Sequence, residues 1–279
     1  MTYFHTRSTS SDDAPTITSD GTDIASPRHL PGALSGLRHQ LRFDLLTQFR
    51  SPTSVFFTAV LPVAFLVMFT GLGGGDASDG AQRWVPATMI VGLLSGTITN
   101  LAITLVYLRE YGMLRHVLVT PLPRSSYLGS RILASAILSM LATTIIGTVG
   151  ALVYGTLPTQ PALVLAALVA GTVSGSAIGI AVAALVRSEL AATPIANAIT
   201  LPLLVVSGAF FPLDAAPGWL QQVAAWTPTE PVVRLAIDGY AGAADPGDLP
   251  RLLIVTLIWT VGSILLARRC FTWTPRSRR

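Results

Sequence analysis

Six apolar stretches, each near the length that crosses a bilayer, constrain this chain more than anything else in it. They cover about 54–72, 85–108, 128–154, 161–186, 191–211 and 250–267. A helix needs roughly 20 apolar residues to span the hydrocarbon core. Helices also satisfy every backbone polar group within the segment, which lipid cannot do. Only 11% of the residues are charged and the mean hydropathy is +0.60, against about 25% charged for a soluble domain. The expectation is an all-α membrane protein with six transmembrane helices. The fourth and fifth stretches are separated by Arg187-Ser188-Glu189. Reading them as one helix would put two charges at mid-membrane, at a cost of about 2.5–3.5 kcal/mol each, so a tight turn is expected there.

The arginines set the orientation. Six spans place both termini on one side. Counting arginines near a span end with the adjoining loop, 15 of the 18 basic residues fall on the side of the terminal segments and even-numbered loops, and three, Arg83, Arg234 and Arg251, fall on the other side. The positive-inside rule then gives N-in and C-in. Acidic residues gather in the opposite loops: Asp76, Asp79, Asp214, Glu230, Asp238, Asp245 and Asp248.

All the basic residues are arginine, because the chain contains no lysine. A P-loop needs its lysine on the nucleotide phosphates, so no ordinary P-loop ATPase site is expected, and Schiff-base chemistry is excluded as well. The single cysteine, Cys270, forms no internal disulfide. His5, His29, His39 and His116 are scattered without metal-ligand spacing, and no metal site is expected. No nucleophile elbow or glycine-rich dinucleotide fingerprint appears either. Gly71, Gly73, Gly74 and Gly75 read as a flexible outer turn. No acidic cluster lies within the spans, which argues against a proton-relay transporter. Arg276, Arg278 and Arg279 follow the last span, where anionic lipid accounts for them better than nucleic acid.

Residues 1–30 read as a disordered cytosolic tail, rich in Ser, Thr, Asp and Pro, without the charged and apolar regions of a signal peptide. A membrane domain is expected over 31–268, with a basic cytosolic tail over 269–279. Leu34, Leu37, Leu41, Leu45 and Phe49 recur at helical spacing, with Arg38 and Arg42 on other faces. This predicts an amphipathic helix at the membrane interface, which either anchors span one or also touches a cytosolic partner.

Two segments stand out from the spans. The first begins Arg109-Glu110-Tyr111-Gly112-Met113-Leu114-Arg115 and runs into Val119-Thr120-Pro121-Leu122-Pro123-Arg124. Residues before proline avoid the α region, so a short surface helix followed by a rigid turn is expected. The second runs from Phe211 to Pro250. It is too polar to cross a membrane, yet Trp219, Leu220, Val223 and Trp226 form an apolar stripe, and Arg234 and Asp238 stand at i and i+4. Within the spans, Gly171, Gly175 and Gly179 share one helix face, as do Gly92, Gly96 and Asn100. Such small-residue faces let helices approach closely. Asn100 and Asn197 are the polar exceptions at membrane depth. They read either as interhelical hydrogen bonds or as contacts along a substrate path.

These two segments resemble matching regions of type-2 ABC transporter permeases. Arg109-Glu110-Tyr111-Gly112-Met113-Leu114, then Leu118-Val119-Thr120-Pro121, is similar to the family's loop after the second span, with Met113 where threonine is common. Ser207-Gly208-Ala209-Phe210-Phe211-Pro212, then Pro217-Gly218-Trp219-Leu220 and Thr227-Pro228, is similar to its outer segment after the fifth span. Ala216 departs from the usual leucine, and Glu230-Pro231 from a more aromatic stretch. The likeness is strongest to permeases of the daunorubicin-resistance group, which export drugs and lipids.

The resemblance implies a transport subunit rather than an enzyme. It would work as a homodimer or heterodimer with a second permease in the cytoplasmic membrane of a bacterium, and an ABC ATPase subunit would carry ATP and magnesium. No cofactor would be bound by this chain. Arg109, Glu110, Tyr111, Gly112, Leu114 and Arg115 would form the ATPase-coupling loop, Glu110 and Arg115 as polar contacts and Tyr111 and Leu114 as apolar anchors. Phe210, Phe211, Pro212 and Trp219 would form the outer gate, on re-entrant helices between spans five and six. The implied cargo is a hydrophobic drug, secondary metabolite or lipid. Alternatives are a glycolipid or polysaccharide, or a membrane scaffold that transports nothing.

Overall fold

A computed structural model describes residues 61–72, 77–111 and 124–270, together with Arg42. All regular structure among them is helical. In chain order the helices are α1 (Leu61–Leu72), α2 (Ala77–Leu94), α3 (Leu101–Glu110), α4 (Arg124–Tyr154), α5 (Pro161–Leu185), α6 (Glu189–Val206), α7 (Gly218–Ala225), α8 (Glu230–Ala241) and α9 (Leu249–Cys270). A π-helical segment, Ser95–Asn100, joins α2 to α3, so the two form one continuous rod.

Five stretches among the described residues are long and apolar enough to cross a membrane: Gly80–Glu110, Leu128–Tyr154, Pro161–Leu185, Glu189–Val206 and Pro246–Cys270. They correspond to the second through sixth spans read from the sequence. Of the first expected span, 54–72, only the twelve residues of α1 are described, and the amphipathic helix expected around Leu34–Phe49 lies outside the described residues apart from Arg42, which is helical and exposed. The expected tail 1–30 lies outside them too, as does 271–279 of the expected tail 269–279, whose first two residues, Arg269 and Cys270, end α9. Several boundaries move: the second span runs Gly80–Glu110 rather than 85–108, the fifth Glu189–Val206 rather than 191–211, and the sixth Pro246–Cys270 rather than 250–267. The fifth ends early because Gly208 turns the chain at φ +81°. Only glycine adopts that backbone without strain.

Small residues set the packing. α5 lies at the centre, with 61% of its apolar window buried, against 22% for those of α6 and α9. Its glycine face rests on the π segment. A Cβ at Gly179 would stand 2.5 Å from the Thr97 carbonyl oxygen and 3.0 Å from that of Ile98. Gly175 faces the Thr97 side chain and Gly171 faces Leu93 and Val232. A π turn interrupts the regular ladder, and in a membrane interior the loosened carbonyls need other partners. Ser135 Oγ donates to the Gly96 carbonyl at 2.9 Å, and Thr97 Oγ1 to that of Leu93 at 2.8 Å. Ile90, Leu93, Leu94, Ile98, Leu101 and Leu105 continue the core along the rod. The outward faces of α5, α6 and α9 carry exposed Leu, Ile and Val, such as Leu165, Leu201 and Leu257. A helix apolar on its outside as well suits hydrocarbon rather than water.

Candidate functional site

The rod α2–π–α3 carries an arginine near each end, and the two ends differ. At the first end, α3 stops at Glu110, and Tyr111 closes it with its N–H on the Tyr107 carbonyl at 3.0 Å. Arg109 is only 1% exposed. Its Nη1 donates to the Ala183 carbonyl at 3.1 Å and its Nη2 to the Val186 carbonyl at 2.7 Å. These carbonyls belong to the C-terminal end of α5, where the last four lack helical donors and the helix dipole favours a cation. The position follows from helical phase: Leu101, Leu105 and Arg109 recur every four residues, and all are buried. Glu110 lies with Oε1 3.7 Å from Arg109 Nε, its side chain 8% exposed. Tyr111 stands outside, its ring 4.2 Å from that of Tyr107, and the Glu189 carboxylate beside it holds the phenol's pKa above its usual value. The turn between α5 and α6 thus lies against the start of the loop. Arg187, Ser188 and Glu189 form that turn in the compact way the sequence predicts.

At the other end α7 and α8 cover the bundle. α8 packs against α2 and α5 and buries Val232, Val233, Leu235, Ala236 and Tyr240. Arg251 Nη2 meets Glu230 Oε2 at 2.7 Å. Burial pushes the Glu230 carboxyl upward, and Arg251 and Arg234 only partly offset that. Asp238 is likewise raised by burial against the pull of Arg234, from which it lies 3.6 Å as the i, i+4 spacing foretold. Arg83 Nη2 donates to the Gly208 carbonyl at 3.0 Å, and its guanidinium stands 5.8 Å from the Trp84 ring centroid. Arg83, Gly208, Glu230, Arg234 and Asp238 line a cavity of about 200 Å³. Beside it Phe69 stacks on Trp84 at 4.8 Å and lies 6.4 Å from Phe210.

Residues 37–240 match the family model described as ABC-2 type transporter. This chain belongs to that family. It is 28% identical over 270 residues, covering 88% of this chain and 92% of the relative, to the probable doxorubicin resistance ABC transporter permease protein DrrC of Mycobacterium tuberculosis, in strains CDC 1551 and H37Rv alike. It is also 26% identical over 192 residues, 64% of this chain and 65% of the relative, to the putative transport permease ycf38 of Cyanophora paradoxa. The protein is therefore a type-2 ABC permease: a multi-pass membrane protein and the membrane subunit of an ABC exporter. Permeases of this family generally work as dimers with ABC ATPase partners.

Within the permease, the residues singled out from sequence separate into distinct settings. Of the loop, Arg109 is committed to α5, Glu110 is largely covered and Tyr111 is 56% exposed; Gly112, Leu114 and Arg115 lie outside the described residues. Phe210 and Phe211 are half-buried on the bends after α6, whereas Pro212 and Trp219 are exposed. Trp219, Val223 and Trp226 keep their apolar surface open. Asn100 and Asn197 are half-buried. The hydroxyl bridge at their depth joins Thr99 to Thr200 at 2.9 Å, linking the rod to α6. Sequence reading missed that bridge, the Arg83–Gly208 bond and the Glu230–Arg251 pair. Only the last had a visible signal, an acidic residue in the outer segment and an arginine just past its end at Pro250.

Proposed function

We propose that this permease exports a hydrophobic drug, secondary metabolite or lipid across the cytoplasmic membrane of a bacterium. It does so as a homodimer or heterodimer with a second permease, driven by ATP hydrolysed on separate ABC ATPase subunits. The observation that carries the reading is similarity along nearly the whole chain to a permease named for doxorubicin resistance. The missing lysine supports it, since the phosphate-gripping residue of a P-loop must then come from another chain. The segment from Arg109 to Arg115 is the dock for the ATPase, and the turn at Phe210–Pro212 with Trp219 is the outer gate. Asn100 and Asn197 belong to the substrate path or to contacts between helices.

The test is co-purification from cells expressing this chain with candidate ABC ATPases, followed by ATP-dependent doxorubicin uptake into inside-out vesicles. An ATPase should copurify, and uptake should need both chains. Glu110→Ala should leave expression intact and lower the doxorubicin moved per ATP. If no ATPase associates with the chain, the exporter reading fails.

A further inference from the structure

A loop that receives a push from an ATPase is useful only if the push reaches the spans. The described end of that loop makes a charged grip on a helix distant in sequence. Arg109 spends two donors on Ala183 and Val186, more than 70 residues further along the chain. Ala183 lies in the last turn of α5 and Val186 caps it, and α5 is the most buried of the five candidate spans. The same guanidinium belongs to α3 and directly precedes Glu110 and Tyr111. Tyr111 in turn faces Glu189, the first residue of α6. The end of α3 therefore meets two other helix ends, through Arg109 at the end of α5 and through Tyr111 at the start of α6.

We propose that Arg109 is a positioning residue which makes the start of the inner loop and the end of α5 move as one body. A displacement of the loop is then delivered to the α5–α6 turn instead of being lost by fraying of α3. The inference rests on the loop being the ATPase dock. It assigns Arg109, placed with the docking residues from sequence, a task inside the membrane protein. A planar fork with several donors suits two carbonyls at once, and a lysine ammonium holds them only as a point charge. Side chains of similar length without donors leave both carbonyls to α5 alone.

The experiment uses the full permease with its copurified ATPase. In preparations matched for bound ATPase, the doxorubicin moved per ATP hydrolysed should fall at least tenfold in Arg109→Met. Arg109→Lys should recover part of that ratio. Hydrogen exchange supplies a readout that lost stability alone would not change. In the wild-type complex, adding a non-hydrolysable ATP analogue should alter amide exchange across residues 183–189; in Arg109→Met that nucleotide response should vanish. Should Arg109→Met fail to accumulate, Arg109→Lys carries both measurements, with a reduced ratio and a reduced response expected. A wild-type ratio with an intact nucleotide response in either variant overturns the proposal. Absence of any ATPase from the wild-type preparation is a separate failure, that of the functional reading itself.

Discussion

Arg83 and Arg109 sit near opposite ends of the same rod, and each donates to a backbone carbonyl where a neighbouring helix ends. Their surroundings differ. Arg109 is sealed from solvent and holds two carbonyls of α5. Arg83 is half-buried, holds one carbonyl after α6, and lines a charged cavity with Glu230, Arg234 and Asp238. A buried cation with fixed acceptors has one geometry. A half-exposed cation can trade its single protein acceptor for water. The first end is a sealed two-point grip, and the second a single bond beside a polar cavity.

The comparison breaks most readily at Arg109. Replacement by methionine removes two charge-assisted hydrogen bonds and leaves the α5 carbonyls without those donors, at a cost of about 3 kcal/mol. Thermal unfolding in detergent should register it as the largest loss among these variants. Arg83→Met should cost about 1 kcal/mol, since water and the neighbouring groups replace a single bond. Equal losses at the two positions would erase the distinction.

Between these in size stands Arg251→Met, which strips the partner from Glu230 and should cost about 2 kcal/mol at neutral pH, less than a fully buried pair because Arg251 is 35% exposed. The same group gives a pH test. Burial raises the folded-state pKa of Glu230 above its ordinary value, despite Arg251. A carboxyl raised on folding favours the protonated native state. Its relative stabilisation is complete below about pH 4.3, the unfolded value, and disappears as pH rises through the higher folded value. Asp238 acts in the same direction. Mild acid should therefore strengthen the α8 end, the reverse of what an ion pair alone implies. Melting followed by tryptophan emission, with Trp226 and Trp259 close by, should rise as pH falls from neutral toward the unfolded carboxyl value, and Glu230→Gln should flatten much of that rise.

Much of this fold was legible because lipid enforces a simple rule. Span length, the turn at Arg187–Glu189 and the glycine face of α5 follow from hydropathy and residue size. The π segment was not legible, since Ser95-Gly96-Thr97-Ile98-Thr99-Asn100 reads as a polar patch in an ordinary helix. Arg109 was readable only in part. Charge suggested a solvent loop, while the Leu101–Leu105–Arg109 phase placed it on the buried face. The phase wins because the α5 carbonyls offer the guanidinium what water would. At the other end, the sequence marks Phe210 and Trp219 as neighbours in one segment, but does not reveal that one packs near Phe69 while the other remains open.

The smallest expected effect lies between the two arginines, at the Thr99–Thr200 bridge. Hydrogen bonds between membrane helices average only about 0.6 kcal/mol, because the unfolded helices find other partners in the bilayer. Thr99→Val keeps the side-chain shape and should shift melting by about that much. Its value is as a discriminator. The bridge ties α6 to the π segment of the rod, where the regular hydrogen-bond ladder is already interrupted. If the rod transmits motion as a stiff body from Arg109, removing this bond should leave the doxorubicin moved per ATP unchanged. If the π segment acts as a joint, the ratio should change far more than the melting temperature. A large transport defect with a small stability change would then relocate the compliant element from the Arg83 end to the middle of the rod.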